Sequence, residues 1–313
     1  MIVEHVEEAR ERIAPYIKRT RLELSETLSQ LLERDVYVKL ELFQKTGSFK
    51  VRGAFNKLLS TPNEELDKGV VAVSGGNHAQ AIAYASRVLG LDAVVLMPES
   101  TPANYVEATR GYGAKVELKA NIAEAFEEIE RYKANGRVFV HPFDDELVMA
   151  GQGTLGLEIV EDLPEVTDVV VSIGGGGLMS GVSSTIKATK PEVRIWGVET
   201  VGADAMSQAL EAGGIVTLPA ITSIAKTLGA PAVSQATLQA AKDNLEEVVV
   251  VPDAEAVRSL RFILERLKVL PEPAASCTLA AAERLKEKLG SHVVLILCGG
   301  NLSIDGLCSY SVS

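Results

Sequence analysis

The stretch Val169-Val170-Val171-Ser172-Ile173-Gly174-Gly175-Gly176-Gly177-Leu178 decides how this chain folds. A short β-branched run of this kind reads as a buried strand, and the glycines after it end the strand in a tight turn. The apolar pattern from Leu178 onward reads as a helix, so the unit is strand, glycine turn, helix. Four consecutive glycines cost more backbone entropy than a plain turn requires. They leave a nest of N–H donors at a helix N-terminus, which suits a dianionic phosphate. The spacing is not that of a dinucleotide fingerprint, because the third glycine of that pattern would fall beyond the cluster. No Lys-Ser/Thr pair follows, so it is not a P-loop.

Outward from this unit, β-branched runs alternate with amphipathic stretches. The expected strands are Val36–Leu40, Val70–Val73, Ala93–Met97, Lys115–Leu118, Val138–Val140, Val169–Ile173, Val193–Val198, Val248–Val251 and Val293–Leu297. Helical patterns include Ile122–Ala134, Thr154–Glu161, Ala254–Leu267 and Cys277–Leu289. This alternation predicts an α/β protein of two lobes, each an open, mostly parallel twisted sheet flanked by helices. The motif positions place a small domain at 44–142 and a large domain at 1–43 plus 143–313. A chain of 313 residues is long enough for two such cores.

The charge balance, 31 basic against 42 acidic residues, gives a net −11. That argues against nucleic acid or an anionic membrane as a partner, and an anionic ligand would need a local positive site. Cys277, Cys298 and Cys308 show neither a CxxC spacing nor a Cys/His ligand spacing, which suits a reducing compartment. The start Met1-Ile2-Val3-Glu4-His5 carries no apolar signal region, and no apolar run reaches the roughly 18–20 residues of a membrane helix. A cytoplasmic location is expected.

Three further glycine-marked turns fall where open α/β sheets bind ligands, at carboxyl ends of strands. In Lys45-Thr46-Gly47-Ser48-Phe49-Lys50-Val51-Arg52-Gly53, Ser48 is expected to cap a helix that carries Lys50 in its first turn. The helix dipole and burial would both favour the neutral amine, the form that condenses with an aldehyde. In Ser74-Gly75-Gly76-Asn77-His78, small residues expose N–H groups to a carboxylate, and Asn77 offers its amide to a phenolic or carbonyl oxygen. A turn capped by Ser74 or Asn77 reads equally well, and His78 reads as structural more than as a base. In Cys298-Gly299-Gly300-Asn301, Cys298 could bond weakly to a ring nitrogen, or simply be a small buried thiol.

Taken together and in this order, the SFKVRG, SGGNHA, GGGGL and CGGN segments resemble those of the pyridoxal-phosphate (PLP) dependent serine/threonine dehydratases and serine racemases of the tryptophan-synthase-β fold type. The resemblance runs from about Ile13 to Leu307. It implies that Lys50 forms the Schiff base with the cofactor, that Phe49 packs on its ring, and that Asn77 bonds its 3′-oxygen. It further implies that Gly174, Gly175, Gly176, Gly177 and Leu178 hold the phosphate and that Cys298 stands beside the pyridine nitrogen. Ser74, Gly75, Asn77 and His78 would receive the substrate carboxylate, with Lys50 and Ser74 as the candidate catalytic residues.

The implied activity is α,β-elimination from L-serine or L-threonine, giving a 2-oxo acid and ammonia. The alternatives are a serine racemase and a β-replacement enzyme such as cysteine synthase. The racemase branch places a serine at the position of Gly75, and glycine has no proton to give, which tilts the reading toward dehydration. Glu199 and Ala203 match the family's cation segment, but Ala205 replaces the Asp used by divalent-ion members. With carbonyls of Leu228 and Ala230 as further ligands, potassium is the expected ion. The resemblance also implies a homodimer.

Overall fold

The computed structural model describes residues 3–310. Ten strands form two sheets: β1 (Leu22–Leu24), β2 (Asp35–Lys39), β3 (Val70–Val73), β4 (Ala93–Pro98), β5 (Lys115–Lys119), β6 (Val138–Phe139), β7 (Asp168–Ser172), β8 (Arg194–Thr200), β9 (Glu247–Val251) and β10 (His292–Ile296). The four-stranded sheet runs β5-β4-β3-β6 and is parallel throughout. The six-stranded sheet runs β1-β2-β10-β7-β8-β9 and is parallel except for β1.

The pleat explains why these strands read as continuous apolar runs. Val169 and Val171 pack into one hydrophobic cluster with Leu155, Met179 and Val182, whereas Val170 enters the cluster of Leu279, Ala280 and Leu295 on the opposite face. Val70 and Ala72 are likewise divided from Val71 and Val73. Both faces are buried, so nothing selects for polar residues in alternation.

Each sheet reverses its strand order once. In the smaller sheet β4 and β5 extend from one side of β3 while β6 lies on the other. In the larger, β8 and β9 extend from one side of β7 while β10 lies on the other. The carboxyl ends at these switch points deliver Ser74–Asn77, His141–Pro142, Gly174–Gly177 and Cys298. A crevice is expected where adjacent connections leave in opposite directions.

Four expectations need correction. Strand β1 is absent from the sequence reading because it is a three-residue, half-exposed edge. The helix expected at Thr154–Glu161 begins at Glu146 and runs to Asp162, capped by the Asp145 side chain. Its glycines resemble breakers, yet they are contact points: a Cβ on Gly151 would lie 2.6 Å from the Arg52 carbonyl oxygen. The helix expected at Cys277–Leu289 spans Pro273–Arg284, started by the proline at its first position. Ser48 does not cap the Lys50 helix. That helix spans Lys50–Ser60, Phe49 is at its cap position, and the buried Ser48 hydroxyl has no partner among the described residues. Ser48 is extended instead and forms an antiparallel bridge with Gly299.

Candidate active site

A cavity of about 580 Å³ lies between the switch points, lined by Phe49, Lys50, Ser74 to His78, Gly174 to Leu178 and Cys298 among others. All four glycine-marked turns therefore converge. The Phe49 N–H donates to the Cys298 carbonyl at 3.1 Å and the Gly300 N–H to the Gly47 carbonyl at 2.9 Å, so the Lys50 segment is laced to the CGGN turn.

The Lys50 amine donates to the Pro142 carbonyl at 2.8 Å and stands 5.2 Å from the Phe49 ring centroid. Burial pulls its pKa down to about 8, with the charges of Cys298 and Glu272 opposing. The neutral amine that an aldehyde requires is thus accessible near neutral pH.

The glycine turn has the donor set for an anion. Among the described residues, no backbone acceptor takes the N–H groups of Gly174 to Leu178, at the start of the helix Gly177–Thr189. Gly176 is left-handed at φ +95°, and a Cβ on Gly175 would strike the Phe143 ring at 2.1 Å. Phe143 is itself fixed by a turn in which the His141 Nδ1 accepts from the N–H groups of Phe143 and Asp144.

The Ser74–His78 loop offers a second set of donors. The Ser74 hydroxyl accepts from Gly76 N at 3.1 Å, while the N–H groups of Gly75, Asn77 and His78 take no acceptor among the described residues. The His78 ring is engaged elsewhere: Nε2 meets the Val140 carbonyl at 2.9 Å, and burial pushes its pKa down to about 3. It is a neutral structural ring, not a base. Burial holds the Cys298 thiol well above its ordinary pKa, hence neutral, with Sγ 3.7 Å from the Ala274 carbonyl. An amine, an unpartnered N–H nest, a donor amide and a neutral thiol around one cavity fit pyridoxal phosphate.

The cation candidates lie outside the cavity lining in part. Glu199 is buried, and its two oxygens accept from the N–H groups of Met206 and Ser207 at 2.9 and 2.8 Å. It therefore caps the helix Ala205–Ala212, and burial raises its pKa to about 8. The Ala203 N–H donates to the Thr200 carbonyl, and the Leu228 carbonyl accepts from Ala230. Among the described residues, no group of three or more His, Cys, Asp or Glu is placed to hold a metal.

Thr101 and Glu272 are among the cavity residues that sequence reasoning missed. The Thr101 hydroxyl is buried and has no partner among the described residues, and a Cβ on Gly75 would lie 2.6 Å from it. Neither belongs to a glycine motif, and only the fold brings them in.

Two facing switch points around a buried amine and an anion nest define a fold type II PLP enzyme. The chain belongs to the pyridoxal-phosphate dependent enzyme family, whose model matches residues 13–299. It is 42% identical over 302 residues to an L-threonine ammonia-lyase of Geobacter sulfurreducens, covering 96% of this chain and 75% of that protein. Maize serine racemase superposes with a TM-score of 0.94 at 35% identity, covering 98% of this chain and 95% of that one. A T.th. threonine deaminase gives 0.90 at 37% identity, covering 96% and 98%. Among the described residues no helix is long and apolar enough to cross a membrane.

Proposed function

We propose that the chain is a PLP-dependent ammonia-lyase that dehydrates L-threonine or L-serine to a 2-oxo acid and ammonia. The observation that carries this reading is that the half-buried Lys50 and the Gly174–Leu178 nest, whose N–H groups have no backbone acceptor among the described residues, line one cavity, with a glycine at position 75. Likeness to L-threonine ammonia-lyases over most of the chain supports it. Release of 2-oxo acid from a panel of 3-hydroxy amino acids, with chiral analysis of recovered substrate, is the direct test. Absence of keto acid from every member would overturn it.

When bound, PLP acts as an electron sink that acidifies the α-C–H of an amino acid joined to it. Lys50 would hold the cofactor through its amine. The Lys50 Nζ, drawn toward neutrality by burial, would accept the α-proton of the bound amino acid. The free N–H groups of Gly75, Asn77 and His78 bind and orient the substrate carboxylate, with Ser74 bracing the loop. The glycine nest would hold the phosphate, Phe49 would wall the ring, and the neutral Cys298 would put no fixed charge beside the ring nitrogen. Residues 44–142 would serve as the small domain and 1–43 with 143–313 as the large one, following the division of the sheets. A cytoplasmic homodimer completes the proposal, resting on the family resemblance and the free cysteines.

Racemisation needs an acid on the second face, and glycine at 75 supplies none. Pyruvate formation from L-serine is expected to exceed D-serine formation by about a hundredfold, the usual worth of a positioned acid. Gly75→Ser alone should change little, because its Cβ would meet the Thr101 hydroxyl at 2.6 Å. Gly75→Ser with Thr101→Ala should raise D-serine output. Faster D-serine than pyruvate in the parent would count against this reading of Gly75.

A potassium ion at Glu199, with carbonyls of Ala203, Leu228 and Ala230, is part of the proposal. A single carboxylate suits a large monovalent ion better than magnesium, which dehydrates reluctantly. After chelation, potassium or ammonium should raise activity several-fold over sodium, and magnesium should not. Rescue by magnesium alone would reject the assignment.

A further inference from the structure

Glu272 is the acid that precedes the helix Pro273–Arg284, and it sits fully inside the protein with no salt-bridge partner among the described residues. Its Oε1 accepts from Asn77 Nδ2 at 2.8 Å and from the Thr227 hydroxyl at 2.9 Å. Its Oε2 accepts from the Asn301 N–H at 3.3 Å. The helix N-terminus behind it favours a negative charge, and burial disfavours one.

The same cluster contains a directed chain of amides. Asn301 Nδ2 donates to the Thr46 carbonyl at 2.7 Å and to Asn77 Oδ1 at 2.8 Å. The Thr46 carbonyl can only accept, so the amide of Asn301 is fixed in one orientation, and that fixes Asn77 with its oxygen toward Asn301. An ionised Glu272 can also only accept, so it holds the Asn77 nitrogen from the other end. One Nδ2 hydrogen of Asn77 is left over for the cavity that Asn77 lines. Space is kept for this arrangement by two motif glycines. A Cβ on Gly299 would lie 2.9 Å from Glu272 Oε1, and a Cβ on Gly47 would lie 2.6 Å from Asn301 Oδ1.

We propose that Glu272 and Asn301 are positioning residues that lock Asn77 as a hydrogen-bond donor, never an acceptor, toward the phenolic oxygen of the cofactor. The proposal rests on the reading of Asn77 as a cofactor contact. Glu272 lines the cavity and acts on the cofactor through Asn77, and Asn301 lies outside the cavity lining. The donor matters because a hydrogen bond to the phenolate form of that oxygen favours the long-wavelength form of lysine-bound PLP.

The test compares holoenzymes of the parent, Asn77→Ala, Glu272→Gln, Glu272→Asp and Asn301→Asp. The readouts are the PLP dissociation constant and the ratio of long- to short-wavelength cofactor bands at fixed pH. Glu272→Gln keeps the size but adds a donor, whereas Glu272→Asp keeps an acceptor-only group one carbon shorter. Positioning predicts that Gln shifts the band ratio in the direction of Asn77→Ala and weakens PLP binding roughly tenfold, the worth of one hydrogen bond. Asp should stay nearer the parent in band ratio. A packing role predicts the reverse order, Gln harmless and Asp harmful, and that order overturns the proposal. Asn301→Asp should reproduce the Gln shift, and it decides the matter if Glu272→Gln does not fold. A folded Asn301→Asp with parental bands would overturn it too. If Asn77→Ala also leaves the bands unchanged, the reading of Asn77 itself fails; if only Asn77→Ala shifts them, the lock alone fails.

Discussion

Lys50→Ala is expected to lower 2-oxo acid release by about four orders of magnitude or more, since one substitution removes both the covalent anchor and the base. The fold should survive. The Lys50 amine has one hydrogen bond, to the Pro142 carbonyl, and that carbonyl borders the cavity, where water can replace the amine. A stability change within about 1 kcal/mol follows. In the parent, borohydride should fix PLP on Lys50, and mass spectrometry locating the reduced adduct on another lysine would sink the assignment. The pH dependence of reloading gives a second check. The amine must be neutral to attack the aldehyde, and burial lowers its pKa from 10.5 to about 8. Protonated below that pH and free above it, Lys50 should give a reloading rate that climbs through about pH 8 and levels off well before pH 10. A rate still climbing at pH 10 would mean an ordinary, solvated lysine.

The sequence carried the parallel strands because both faces of each sheet are buried, which leaves runs such as Val70–Val73 and Val169–Val171 uninterrupted by polar residues. It carried the cavity's backbone donors because glycines mark them. It was silent on Glu272 and Thr101, single polar residues in ordinary surroundings; the meaning of Glu272 comes from residues as distant in sequence as Asn77. It misplaced the start of the helix Glu146–Asp162 for a related reason. Glycines that break a solvated helix can also be what lets two helices touch backbone to backbone, and only the partner distinguishes the cases. At Gly151 the partner is the Arg52–Gly53 backbone. Glu199 reads as a cation ligand in the motif and as a helix cap in the fold, and the two roles compete for the same oxygens.

Two residues beyond Lys50, Arg52 is expected to carry the largest stability effect of any single side chain near the site. It is fully buried, and all five of its N–H donors are used. Two go to Glu41, two to Glu158 and one to the Thr154 hydroxyl, at 2.7 to 3.0 Å. Lys39, also fully buried, gives its amine to Glu158 at 2.6 Å and to the Thr20 carbonyl at 2.8 Å. Its buried part holds two cations and two carboxylates, with the more exposed Asp162 3.8 Å from the Lys39 amine, and it ties the Lys50 helix to β2 and to the helix Glu146–Asp162. Arg52→Met removes one cation and leaves two buried carboxylates to one lysine, a loss expected to cost about 3–5 kcal/mol. Arg52→Lys should recover only part of it, because an ammonium cannot span both carboxylates in a bidentate fork. The pH dependence fixes the cause. Burial alone would raise the Glu158 pKa, but Arg52 and Lys39 outweigh it and hold the carboxyl below its ordinary 4.5. Its contribution is therefore present above about pH 4.5 and lost as pH falls through the lower folded value. In Arg52→Met the balance at Glu158 tips toward burial, so its carboxyl should take up a proton at higher pH than in the parent. The deficit should be full at pH 7 and narrow on acidification toward pH 5. Denaturant melts of both proteins at the two pH values measure it. A deficit under about 1 kcal/mol, or one identical at both, would show that packing around the Arg52 stem, not charge, holds the three elements together.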